Sequence, residues 1–222
     1  MRKPLKTCRV LMLLGSYDHR THAGIARFAK EAGWHLDVSV LKTFQLPTRW
    51  EGEGIITSLN ANRRLESFVR KTRLPVVDLS TWREDLNLPR VAGDHERTGK
   101  LAAEYFLGLG FRNFAWFAME TNPVGRARGR AFSEALGKQG HRVRSLTGGL
   151  GNRKEWGKIL RKLEKPCAIF TKSDADSAWL CSLALDSGLR VPEDLAILGV
   201  DDNPLICETQ AVPLSSIHHD LE

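Results

Sequence analysis

Short apolar runs alternate with amphipathic stretches along nearly the whole chain. Residues 8–14 form a continuous apolar run of strand length. Residues 21–32 follow, with Ile25, Phe28 and Ala29 spaced for one helical face. Over 35–41, Leu36, Val38 and Val40 alternate with polar neighbours, which predicts a strand with one buried face. Further strands are predicted over 54–57, 75–79 and 90–92, and a helix over 63–71. A second series opens with a helix over 98–109. On it Leu101, Ala102, Tyr105, Phe106 and Leu109 share a face, and Gly110 ends it. Strands at 114–118, 141–145, 168–171 and 195–200 then alternate with helices at 128–138, 155–163 and 174–186. Residues 213–217 read as one more strand, and 218–222 as the opening of a helix.

This alternation predicts an α/β fold of mainly parallel sheets with helices on both faces. Two successive series predict two lobes, each a doubly wound parallel sheet. The expected division is near Gly93. Residues 1–93 make an N-terminal lobe, 94–212 a C-terminal lobe, and 213–222 return to the first. Stopping at a helix start leaves the C-terminal part of the N-terminal lobe truncated. No long linker, low-complexity tract or internal repeat is visible.

Composition narrows the class. The balance of 33 Lys+Arg against 26 Asp+Glu gives a net charge of +7, a mild bias toward polyanionic partners. The basic residues are dispersed, however, which fits a solubilising surface. Cys8, Cys167, Cys181 and Cys207 form no CxxC pair and read as reduced thiols. The apolar run at 10–14 is too short for a signal-peptide core, and no run reaches membrane-spanning length. A cytoplasmic protein without membrane contact is expected.

The most informative segment is 188–203, GLRVPEDLAILGVDDN. A helix ends at Gly188, a turn is built on Pro192, and a buried strand runs into Asp201 and Asp202. Ligands of open α/β sheets bind at the carboxyl ends of the strands. A carboxylate there accepts hydrogen bonds from a polyol. Asp202 is assigned to the turn, where Asp is common. Asp94 is assigned to a helix cap. The segment 93–100 imitates a phosphate loop but has one residue too many between its glycines, and Leu101 stands at the metal-binding position. His19 and His22 beside Asp18 lack a fourth ligand for zinc. No nucleophile elbow or Cys/His signature is present. No metal, no cofactor and no catalysis are predicted.

The same segment resembles the last sugar-contacting stretch of LacI-type transcriptional regulators, whose sensor domains share the type I periplasmic-binding-protein-like fold. The resemblance spans nearly the whole chain, through 11–14, 24–28, 91–94, 107–111, 128–132, 173–174, 199–202 and 213–217 in order. The segments 17–20, 155–156 and 214–216 are similar to xylose-operon regulators. These carry an AraC-type helix-turn-helix domain after the sensor, and no DNA-binding domain fits within this chain. The resemblance implies a monosaccharide effector, a pentose such as D-xylose, bound between two lobes. It also implies operator DNA as partner through that missing module, and a homodimer. It assigns Arg128, Asp174 and Asp201 to the sugar hydroxyls, Trp156 to stacking on the sugar, and Asp18 with Tyr17 to contacts from the first lobe. Ser173 stands where the family has Asn.

Several of these residues also have a structural use. Asp174 and Asp18 suit helix caps. Trp156 fits an amphipathic helix core. Arg128 opens the helix expected over 128–138, where a cation is electrostatically unfavourable and its retention points to use. Two other functions fit the fold class. A solute-binding protein of a transporter requires export. An α/β enzyme acting on sugars or nucleotides requires an acid–base pair at the strand ends.

Overall fold

A computed structural model describes residues 7–148 and 151–218. The chain divides between Gly93 and Asp94 into two compact units, each an α/β layer structure.

The first unit runs β1 (Arg9–Leu14), α1 (His19–Glu31), β2 (His35–Asp37), α2 (Ser39–Thr43), β3 (Gly54–Ser58), α3 (Arg63–Lys71) and β4 (Val76–Asp78). Its four strands are parallel, in the order β2-β1-β3-β4. Leu11, Leu13, Ile55, Val76 and the α3 residues Leu65 and Val69 pack into one core cluster. Three expectations differ here. The strand over 35–41 stops at Asp37, whose side chain accepts the Ser39 N–H at 2.8 Å as the chain turns into α2. A side-chain bond of this Asx type competes with the sheet ladder, and it overrides the alternating pattern. Phe28, expected on the buried face of α1, is exposed and lies edge-on to Trp34. The strand expected over 90–92 is a single bridge between Asp78 and Arg90.

The second unit runs α4 (His95–Gly108), β5 (Asn113–Ala118), α5 (Pro123–Gly137), β6 (Val143–Thr147), α6 (Arg153–Arg161), β7 (Cys167–Thr171), α7 (Asp174–Asp186), β8 (Leu195–Val200), α8 (Pro204–Cys207) and β9 (Ser215–Ile217). Its five strands are parallel, in the order β6-β5-β7-β8-β9. The period-2 alternation of β5 divides its residues between two cores. Phe114, Trp116 and Ala118 join Phe106 of α4 and Phe132 of α5. Ala115 and Phe117 join Leu160 of α6 and Leu180 of α7. The sheet is therefore covered on both faces, as a parallel sheet requires. Each fully buried Phe contributes about 1.5–3 kcal/mol.

Two corrections concern this unit. On α4 the buried face is Ala102, Ala103 and Phe106, while Leu101, Tyr105 and Leu109 remain partly exposed. Small residues win the interface because α4 crosses α5 closely: a Cβ on Gly99 would strike the Arg128 carbonyl. Residues 215–217, expected to return to the first lobe, form β9 and pair with β8. The helix start expected over 218–222 lies almost wholly outside the described residues. Asp94 does cap α4, accepting the Arg97 N–H at 2.8 Å.

Candidate functional site

Parallel strands bring all their carboxyl ends to one edge of the sheet. In the second unit β5, β7 and β8 are adjacent, so Met119, Lys172 and Asp201 leave the sheet side by side. Side chains from the neighbouring helices then tie these ends together.

Asp201 and Asp202 both carry positive φ, 110° and 47°. Such conformations cost a non-glycine residue about 1–3 kcal/mol and persist only where surrounding contacts hold them. Three contacts do so here. The Asp201 N–H donates to the Ile217 carbonyl at 3.1 Å. The Asp202 N–H donates to Ser216 Oγ at 3.0 Å. The Asn203 N–H donates to Asp174 Oδ2 at 2.8 Å. Asp202 is exposed and Asp201 half-buried.

Asp174 is fully buried. Its second oxygen accepts the Ser216 hydroxyl at 2.6 Å, so one carboxylate fastens the 201–203 loop and β9 to α7. The helix cap is Ser173, which accepts the Asp176 N–H, and Asp174 is the first helical residue. Burial pushes the Asp174 carboxyl up, against the stabilising bonds from Asn203, Ser216 and Cys207, and the Asp201 charge adds to the rise. Gly199 leaves the space this needs: a Cβ there would strike Asp174 Oδ1.

Arg128 completes the cluster. The helix α5 begins at Pro123, with Asn122 as its cap, so Arg128 lies beyond the first turn and the expected dipole conflict does not apply. Burial marks it instead. Arg128 is 4% exposed and donates through Nη1 to the Lys172 carbonyl at the end of β7. Burial pushes its pKa down, and the charges of Asp201, Asp174 and Asp176 oppose that shift. One guanidinium thus sits in the field of three carboxylates.

Asp176 was not singled out in the sequence. It is buried, accepts the Met119 N–H at 3.2 Å and lies 3.8 Å from Lys172 Nζ. Burial pushes its carboxyl up, with Lys172 opposing. Its spacing two residues after Asp174, in a helix's first turn, was the available signal, and it reads equally as dipole complementation. Trp156 is 9% exposed and packs within an aromatic group with Phe117 and Trp179, edge-on to each at 5.6 and 6.1 Å.

The first unit handles the same edge differently. Asp18 caps α1 by accepting the N–H groups of Arg20 and Thr21 at 2.8 and 3.2 Å, and it pairs with the Arg20 guanidinium at 3.0 Å. Burial pushes its carboxyl up, but the Arg20 bond and these amides outweigh it and hold the pKa below the usual range. Tyr17 is 60% exposed, its hydroxyl 3.1 Å from His22 Nδ1. With Leu14, Val40, Phe44 and Leu46 it lines a cavity of about 720 Å³.

All four cysteines are free, and three are buried. Among the described residues no group of His, Cys, Asp and Glu has metal-site geometry, and no helix is long and apolar enough to cross a membrane.

Known proteins are similar to this chain. The HTH-type transcriptional regulator DegA of Bacillus subtilis (strain 168) is 27% identical over 190 residues, 79% of this chain and 55% of that protein. The arabinose metabolism transcriptional repressor of Geobacillus stearothermophilus is 28% identical over 172 residues, 72% of this chain and 46% of that protein. The chain spans about half the length of these curated relatives. A solved structure of the xylose-binding transcription activator xylR superposes with a TM-score of 0.82 at 19% identity, covering 97% of this chain and 60% of that one. Identity so low establishes the fold alone. Residues 103–222, more than half of the sequence, match the model of the periplasmic binding protein-like domain, and the chain belongs to that family.

Proposed function

We propose that this chain is the effector-binding part of a LacI-type, sugar-responsive transcriptional regulator of the cytoplasm. The observation that carries the reading is the buried Arg128 in the field of Asp201, Asp174 and Asp176 at the carboxyl edge of the second sheet. A guanidinium beside carboxylates keeps donors and acceptors in fixed positions, which vicinal hydroxyls match. The half-buried Asp201 takes a sugar hydroxyl directly. Asp174, whose oxygens hold Asn203 and Ser216, fixes the loop that presents it. Trp156 stacks its small exposed part on the sugar, and Tyr17 and Asp18 add contacts from the first unit.

The effector is a monosaccharide, and a pentose such as D-xylose fits the resemblance to xylose-operon regulators. Support comes from relatives whose names are those of transcription regulators, one of arabinose metabolism. Sugar binding favours one arrangement of the lobes. A helix-turn-helix module in the same protein, acting as a homodimer, then changes its hold on operator DNA. A coupling of about 1–3 kcal/mol suffices. No bond is made or broken, so the charged groups orient hydroxyls and need not transfer protons.

Titration calorimetry against a panel of pentoses and hexoses tests this. One sugar gives a binding heat, and Asp201→Ala abolishes it while the circular dichroism spectrum stays native. Unchanged affinity in that variant overturns the site. Turnover of any sugar, or absence of heat across the whole panel, overturns the function.

A further inference from the structure

The opposite edge of the second sheet carries a concavity of about 560 Å³. It lies at the amino ends of β5, β6 and β7, and its wall includes Arg112, His141, Arg142, Arg144, Lys162 and Glu164. Strand β7 is five residues long, so at about 3.3 Å per residue this edge is about 17 Å from the Asp201 edge. Four permanent cations and one carboxylate thus line a hollow of small-molecule size.

Two structural demands account for basic residues at such a place, and both are met by other groups. Helix carboxyl ends attract cations. The end of α6 is closed by Lys165, whose ammonium reaches the carbonyls of Leu163 and Arg161 at 2.9 Å and of Leu160 at 3.4 Å. The end of α5 is closed by backbone amides of 138–141. Edge strands carry charge to block pairing with other chains. That serves Arg142 and Arg144 beside the edge strand β6 but not Arg112 and Lys162, which arrive from the α4–β5 connection and the end of α6.

Among the described residues these cations, like Arg63 and Arg64 on α3, carry charge that no carboxylate neutralises. Arg70, Arg83, Arg97, Arg130, Arg153 and Arg190 each meet a carboxylate within hydrogen-bonding distance. Among the described residues Arg112, Arg142, Arg144 and Lys162 are in no ion pair, and the only side-chain bond of the four is Arg112 Nη1 to the Phe111 carbonyl at 2.9 Å. Like charges gathered in a hollow repel one another and concentrate anions.

We infer that this groove is a binding site for a small phosphate-bearing polyanion, distinct from the sugar site. Several guanidiniums provide forked donors that match phosphate oxygens, and a hollow of about 560 Å³ suits a small ligand. The inference does not depend on the effector reading.

Calorimetric titration of inorganic pyrophosphate into the whole chain, at about 0.15 M salt where the Debye length is about 8 Å, tests it. The native chain binds one equivalent, and Arg144→Ala/Lys162→Ala weakens this by about tenfold or more. The charge-matched control Arg63→Ala/Arg64→Ala, on α3 of the first unit, binds like the native chain. Arg112→Gln provides a single-site check, with about threefold weakening, should the double variant lose its circular dichroism spectrum. Absence of binding to the native chain, or equal weakening in the control, overturns the proposal. So does tighter binding of a DNA duplex than of pyrophosphate at the same salt.

Discussion

The two sheets end their strands in different ways. At the carboxyl edge of the second, Arg128, Asp174 and Asp176 are buried and bond across element boundaries, from α5 to β7, from α7 to the β8 loop and β9, and from α7 to β5. At the corresponding edge of the first, the buried Asp78 accepts the Leu59 N–H at 3.1 Å and Asn60 donates to the Gly15 carbonyl, so β4, β3 and β1 are also tied together, but Asp18 is satisfied by residues two and three positions along its own helix, and Tyr17 is exposed. Long-range bonds fix the relative positions of several strand ends at once. Short-range bonds such as those of Asp18 fix one helix start. The second unit therefore gathers a buried guanidinium and two buried carboxylates into one cluster, while Asp18 of the first stays local to its own helix.

Arg128→Ala breaks this contrast most severely. It leaves the Lys172 carbonyl without its donor and the neighbouring carboxylates without their cation. Loss of a partner from a buried charge cluster costs about 3–5 kcal/mol, readable as a lower urea midpoint. A loss below about 1 kcal/mol would show that the cluster is solvated. A smaller effect is expected for Asp174→Asn, and its pH dependence is diagnostic. The folded pKa of Asp174 is raised above its ordinary value near 3.8, so the folded state holds the proton more tightly than the unfolded chain. Its contribution is then fully present below about pH 4 and is lost as pH rises through the folded pKa. Native stability should fall relative to Asp174→Asn as pH increases over that window, and parallel melting curves would refute the burial argument. Least affected is Asp18→Ala, which removes one cap at a cost of about 1 kcal/mol and leaves the second unit's melting unchanged.

Much of the architecture was legible. Helices over 63–71 and 174–186 and the strand over 195–200 have the expected bounds, because period and punctuation agree there. The end of β8 pointed to Asp201 by topology alone. Other features were hidden because they depend on partners distant in sequence. Asp176 went unmarked because its partner is the distant Met119 amide at the end of β5. The exposure of Leu101 and Tyr105 follows from the close approach of α5, which favours alanines over larger side chains at the crossing.

Local pattern therefore determined most of the strands and helices, though not α2, α8 or the end of β2, and which edge of each sheet carries polar residues, since periodicity and turn chemistry are properties of neighbouring residues. Only the tertiary structure decided that β9 belongs to the second sheet, that Arg128 is buried among carboxylates and that Asp174 holds a strained loop. Burial, electrostatic fields and strand pairing are set by groups that the chain brings together from tens of residues apart.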